Sequence, residues 1–196
     1  MNNFEISNLP HSAWVVYKRN NRENILNTYP NFDFESRLFI MKEFKKKFEE
    51  LNLRLYLADG ALLGAVREKK FIPWDNDVDL HVLSEEIDDE KIKILKNHFL
   101  KLGCIVRTVD NYPDQKMNVF YKGEKVGILL LYENQNFRYR HIYRWPKFLY
   151  EESESIEFLG ETFMTPKIND YLIHQYGNDW KVPKKKNYFS KKLTNF

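Results

Sequence analysis

An α+β domain built on a mixed β-sheet flanked by helices is the fold class this sequence predicts, and three observations predict it. Apolar residues recur at helical spacing in residues 35–51 and again after Ser84. Short segments alternate apolar with polar side chains, as half-buried strands do. Tight-turn residues join several of those segments into hairpins, and neither an internal repeat nor a linker rich in Gly, Ser or Pro divides the chain. A single domain over residues 35–183 follows, with an N-terminal extension (1–34) before it and a basic tail (184–196) after it.

In chain order, ESRLFIMKEFKKKFEEL (35–51) sets Leu38, Met41, Phe44, Phe48 and Leu51 three or four residues apart with Lys and Glu between them, which makes an amphipathic helix. LRLYL (53–57) alternates as a strand, Asp59-Gly60 turns the chain, and ALLGAV starts a short helix. Pro73 makes FIPW (71–74) an approach loop. DNDVDLHVL (75–83) then puts Val78, Leu80 and Val82 on one face of a strand and Asp77, Asp79 and His81 on the other. Ser84 is expected to cap a helix whose first turns carry Glu85, Glu86, Asp88 and Asp89, where the helix dipole favours acids, and Gly103 to end it. CIVRTV and MNVFY read as strands, and KVGILLLYE pairs with the second across Lys122-Gly123-Glu124. FRYRHIYRWPKFLY (137–150) is rich in arginine and aromatics, Arg138 to Trp145 within it reads as a strand with polar residues outward and aromatics packed, IEFLGETFMTP (156–166) reads as another hairpin, and Thr165-Pro166 opens a last helix that Gly177 closes.

With 196 residues, 43% hydrophobic and 16% aromatic, the chain holds enough apolar material for one sizeable core and too much for wholesale disorder. It lacks both a long uncharged apolar run and a secretory leader, so a cytoplasmic protein is expected. Cys104 stands alone, in an apolar stretch that suits a buried small residue, so any metal must be held by oxygen. Charges nearly balance at +3, but from Lys181 onward there are six lysines and no acid. That tail either meets phosphate or the anionic inner face of a membrane, or is simply solvated.

The chemistry lies in ADGALLGAVREKKFIPWDNDVDLHV (58–82). Strand residues two apart face one side at roughly 6 to 7 Å, so Asp77 and Asp79 can converge on a divalent cation, and hard oxygen ligands favour magnesium or manganese. Upstream, Asp59-Gly60 at a helix start offers backbone N–H groups to phosphate. Arg67 and Lys69 or Lys70 sit where they could hold phosphate oxygens, and Trp74 either stacks on a ligand or walls the site. A calcium-loop reading of DxDxD fails because Leu80 stands where that loop needs glycine. His81 shares the aspartates' parity and is a base, a ligand or a hydrogen-bonded core residue, whereas His98, His141 and His174 have no ligand spacing. The arginine-aromatic run Arg138 to Trp145 suggests packing more than nucleic-acid binding, and no nucleic-acid partner is expected.

The run DGALLGAVREKKFIPWDNDVDL resembles the signature of the LicD/fukutin family, and YLIHQYGNDWKVP (171–183) is more weakly similar to its C-terminal segment. The resemblance implies a nucleotidyltransferase fold, like the catalytic core of polymerase β. It also implies transfer of a phospho-alcohol, such as phosphocholine or ribitol phosphate, from a CDP-linked donor to a hydroxyl of a glycan or lipid-linked glycan. Carried over, Asp77 and Asp79 are metal ligands supported by Asp75, Arg67 is a catalytic contact to the donor phosphate, and Asp59, Gly60, Gly64, Lys70 and Trp74 are on the substrate side. Ala61 replaces a common threonine or serine, and Gly127 in KVGILLL stands where the family usually has a third aspartate on a neighbouring strand. Glu124 or Glu133 could substitute for it through a different geometry, although neither sits at the matching position. Without a replacement the chain would be a weak or inactive nucleotide- or phosphoglycan-binding relative; a nucleotidyltransferase acting on protein or RNA is the other alternative.

Overall fold

A computed structural model describes residues 3, 5, 8, 33–75, 77–109 and 116–183. Helix α1 (Phe34–Glu50) begins at Asp33, whose carboxylate accepts from Ser36 N–H at 3.1 Å, and buries Ile40, Met41, Phe44 and Phe48 at the spacing its sequence sets. Strand β1 (Tyr56–Leu57) is shorter than expected: only these two residues of 53–57 find ladder partners, with β2 (Val78–Leu83) on one side and β9 (Glu161–Thr165) on the other. Helix α2 (Asp59–Arg67) connects β1 to the approach loop before β2.

The helix expected at Ser84 starts later. Ser84–Glu86 form a single 3-10 turn, Ile87 is extended and buried, and Asp88 caps α3 (Asp89–Lys101) by accepting from Lys91 N–H at 2.9 Å. Burying Ile87 takes that residue out of the helix, so the cap moves past it. Strands β3 (Ile105–Val109), β4 (Lys116–Tyr121) and β5 (Glu124–Asn134) run antiparallel in succession. The β4–β5 turn has positive φ at both Lys122 (46°) and Gly123 (83°), the geometry a two-residue hairpin requires. The stretch from Arg138 to Trp145, expected as one strand, differs as well. It lies in a hairpin, β6 (Phe137–Arg140) and β7 (Tyr143–Pro146), followed by the short α4 (Phe148–Glu151). Here Arg138 is buried while Phe137 and Tyr143 are exposed, because Arg138 reaches Glu85 at 2.9 Å and Glu133 at 3.0 Å. Strand β8 (Glu154–Phe158) pairs with β9, and α5 (Ile168–Tyr176) ends at Gly177 with φ 90°.

The strand order is β3-β4-β5-β2-β1-β9-β8, and the β2–β5 and β1–β9 pairs are parallel. Val78, Leu80 and Val82 of β2, Val126, Ile128 and Leu130 of β5 and the apolar face of α1 share one buried core. Phe44 meets Phe99 of α3 at a 4.4 Å ring separation. No helix among the described residues is long and apolar enough to cross a membrane. Of the expected N-terminal extension, Asn8 accepts from Lys96 and Asn3 donates to the Gly103 carbonyl. The tail over 184–196 lies outside the described residues.

Candidate functional site

The polar face of β2 divides in two along its length. At its far end His81 is fully buried, with Nε2 3.0 Å from Asp59 Oδ2, Nδ1 2.7 Å from the Tyr150 hydroxyl, and Trp145 at a ring separation of 5.1 Å. The hydrogen-bonded core reading of His81 is therefore the observed one. Two residues earlier the same face carries Asp79, and Asp77 precedes the strand; both are partly exposed. Strand alternation thus carries one row of side chains from an aromatic core to an open acidic end.

The parallel register with β5 aligns Asp79 with Gly127, and the antiparallel register beyond it aligns Gly127 with Asn118 of β4 and Asn118 with Arg107 of β3. Those four positions form a row across the sheet. Position 127 faces the acidic strand, as the sequence suggests: a Cβ placed there would lie 3.0 Å from Asp79 Oδ1 and 2.7 Å from Asn118 Oδ1. One step along the same face, Lys125 forms an ion pair with Asp77. Sequence reasoning passed over Asn118 and Lys125, and the signal that identifies both is the pairing partner of Gly127 and its parity on β5.

Asp75 closes the cluster from the loop. Its carboxylate lies over Gly60 at the start of α2, where any Cβ would collide with Oδ2, so glycine is what admits an anionic group to this helix end. Burial pushes the Asp75 carboxyl up to about 6; the Asp77 charge adds to this, Arg37 opposes it, and Asp79 and Asp59 contribute further upward. Arg37 holds the loop in place. It is fully buried, donates from Nη1 to the Asp75 carbonyl at 2.9 Å and from Nε to Glu124 at 2.7 Å, and lies over the Phe71 ring. Glu124 is thereby committed to Arg37, and Glu133 is committed to Arg138 and Lys147. Neither takes the place of an acid at 127.

The remaining expected site residues are dispersed. Asp59, with φ 46°, accepts from the Tyr171 hydroxyl at 2.7 Å and from Gln175 at 3.0 Å in addition to its contact with His81. Gly64 packs against the Lys70 carbonyl, 2.6 Å from where a Cβ would stand, while the Lys70 side chain is exposed. Arg67 sits at the other end of α2 from Gly60, about 10 Å along the axis at 1.5 Å per residue. There it pairs with Glu68 at 2.6 Å and the Trp180 carbonyl at 3.3 Å. Trp74, next to Asp75, is 46% exposed, so it does not serve as core.

A family model described as LicD/FKTN/FKRP, nucleotidyltransferase domain, matches residues 52–168, from just before β1 to the first residue of α5. The chain belongs to this family. Two curated proteins are similar to the LicD-family chain. The mouse ribitol-5-phosphate transferase FKTN is 22% identical over 198 aligned residues, 91% of this chain and 42% of that protein. The lipopolysaccharide cholinephosphotransferase LicD of Haemophilus influenzae is 39% identical over 49 residues, 25% of this chain and 18% of that protein. The chain thus spans less than half the length of either. Among solved structures, ANT(2'')-Ia in complex with adenylyl-2''-tobramycin aligns over 74% of this chain and 77% of its own, at 14% identity and a TM-score of 0.49. Within the family match lie all four carboxylates, Asp59, Asp75, Asp77 and Asp79, together with Lys125, Asn118 and Gly127. Tyr171 and Gln175, which hold Asp59, lie outside it. Ala61 is buried on α2.

Proposed function

We propose that this LicD-family chain transfers a phospho-alcohol from a CDP-linked donor to a glycan hydroxyl, at the open end of β2. What supports the reading is the pair of oxygens from Asp79 and Asn118 bordering the gap over Gly127, with Asp77 paired to Lys125 next along the same face and Asp75 close enough to feel the charge of both aspartates. Carboxylate and amide oxygens are the donor set a hard divalent cation takes, and two buried oxygens bordering the gap over Gly127 suit such an ion. Asp77 and Asp79 would hold magnesium or manganese, with Asp75 beside them. A bound ion would neutralise charge on the donor phosphates.

The chain's own residues account for the rest. Lys125 offers an ammonium to the phosphate oxygens once Asp77 turns to the cation, and the exposed Trp74 offers a face to the base or the alcohol. The acceptor oxygen forms a bond to the donor's β-phosphorus, the bond from that phosphorus to the bridging oxygen breaks, and CMP departs with the electron pair. The hydroxyl proton passes to a carboxylate oxygen of the cluster. Arg67, held by Glu68 at the far end of α2, stands in this scheme as a support for the C-terminal segment through Trp180.

Release of CMP from CDP-choline, CDP-ribitol and CDP-glycerol, with magnesium or manganese and candidate glycan acceptors, tests the reading. Transfer should occur with one donor and be lost in Asp79→Asn. Equal turnover in that variant would sink it. Gly127 favours one second reading, a binding relative that retains CDP-alcohols without turning them over. Donor affinity with no CMP released in any combination would support that reading.

A further inference from the structure

Building on the cation site proposed above, we infer that Asn118 supplies the oxygen that an acidic residue at position 127 would otherwise supply, so that the cation is held by Asp77, Asp79 and the Asn118 side-chain carbonyl reaching across a glycine. Three observations point this way. Asn118 is 9% exposed, and its Oδ1 is buried with no hydrogen-bond partner among the described residues. A buried acceptor in that state is costly unless something satisfies it. Its register puts it one strand beyond Gly127, in the same row as Asp79. Finally, the Asn118 and Asp79 Oδ1 atoms both lie within 3.0 Å of the single point that a Cβ at 127 would occupy, so they border one gap.

Gly127 has a definite consequence in this arrangement. With no side chain on β5, the middle strand of the three, a ligand from β4 can reach over it toward β2. Any Cβ at 127 would be tighter against Asn118 Oδ1 than ordinary contacts allow. Among the described residues no three Asp, Glu, His or Cys side chains are grouped as a cation cage, and Asn118 adds a neutral oxygen beside Asp79. A carbonyl serves a hard cation as a carboxylate does, but without its charge, so binding should be real and weaker than with three acids.

Direct titration of Mn²⁺ into the full chain, followed by calorimetry and by the spin signal of free manganese, reads this without any turnover. Asn118→Leu keeps the shape and removes the oxygen, and it should weaken binding by roughly tenfold or more. Asn118→Asp adds a charge in the same place and should tighten binding; this variant also guards against the apolar one failing to fold, which circular dichroism and thermal unfolding check in both. If Asn118 instead points its amide nitrogen at Asp79, the aspartate variant should bind more weakly, and that result overturns the inference. Unchanged affinity in Asn118→Leu, with binding still lost in Asp79→Asn, overturns it while leaving the cation site standing. No binding by the unaltered chain overturns both.

Discussion

Lys125 and Asp77 form an ion pair on the same sheet face as Asp79, the ammonium on β5 and the carboxylate at the foot of β2. The cluster therefore already contains one positive charge, positioned where a divalent cation would compete with it. Lys125→Gln should raise Mn²⁺ affinity by about fivefold, since removing a screened, partly exposed charge at this range is worth about 1 kcal/mol. CDP binding should weaken in the same variant. Affinity for manganese that stays level or falls would mean that Lys125 does not compete for the cation.

Position 127 is open in direction but not in volume. Gly127→Asp alone should destabilise the fold by about 1 to 3 kcal/mol, because its Cβ arrives 2.7 Å from Asn118 Oδ1. Combining it with Asn118→Ala removes that obstacle, and the double variant should recover stability and bind Mn²⁺ more tightly than the single one. Urea unfolding and calorimetry on the two variants decide the matter.

The two glycines of α2 should respond differently to alanine. At Gly64 the new methyl meets the Lys70 backbone carbonyl at 2.6 Å, and backbone yields little, so Gly64→Ala should cost about 2 to 3 kcal/mol in urea unfolding. At Gly60 the obstacle is the end of the Asp75 side chain, which can swing away. Gly60→Ala should unfold nearly as the unaltered chain does while losing affinity for manganese and CDP. An unfolding midpoint lower for Gly60→Ala than for Gly64→Ala would contradict this account.

Asp75 makes the stability of the metal-free protein fall with rising pH. Its carboxyl holds a proton more firmly folded, at about 6, than at its ordinary value of 3.8, chiefly through burial. The native state therefore binds more protons than the unfolded state between those values. This contribution is full below about 4, declines as pH rises through about 6, and is level above. Asp75→Asn should flatten that part of the profile and be the more stable form at pH 7, as measured by unfolding in EDTA. A profile of the same slope in both proteins would place the proton elsewhere.

Asp59 ties α2 and β2 to α5, since one carboxylate meets His81, Tyr171 and Gln175. Asp59→Ala leaves those donors unsatisfied and puts alanine at φ 46°, for an expected loss of about 2 to 4 kcal/mol. Asp59→Asn keeps an acceptor and tolerates the backbone, so about 1 kcal/mol is expected. Similar losses in the two variants would argue against the network.

Much of this site was legible in local pattern. Alternation in DNDVDLHVL separates Val78, Leu80 and Val82 from Asp77, Asp79 and His81, because a strand's period of two is written directly into consecutive residues. The family signature was legible too, as was the acidic strand's neighbour, in which position 127 faces Asp79. Helix periodicity gave α1 to within a residue. Where local signals competed they misled: Ser84 is a good cap, but burial of Ile87 moved the helix start to Asp88, and Arg138 turned inward to meet acids from two other segments.

The use made of each charge was decided only by the tertiary structure. Asp59 and Asp77 look alike in sequence, yet one is tied to residues over 100 positions away in α5 and the other to Lys125. Asn118 has no local pattern that marks it; it faces the acids because β4 pairs with β5 antiparallel and β5 pairs with β2 parallel. Spacing along a chain determines which face a residue takes, and that much the sequence alone carried. Which residues meet across that face depends on the register between strands distant in sequence, set by the packing of the whole core.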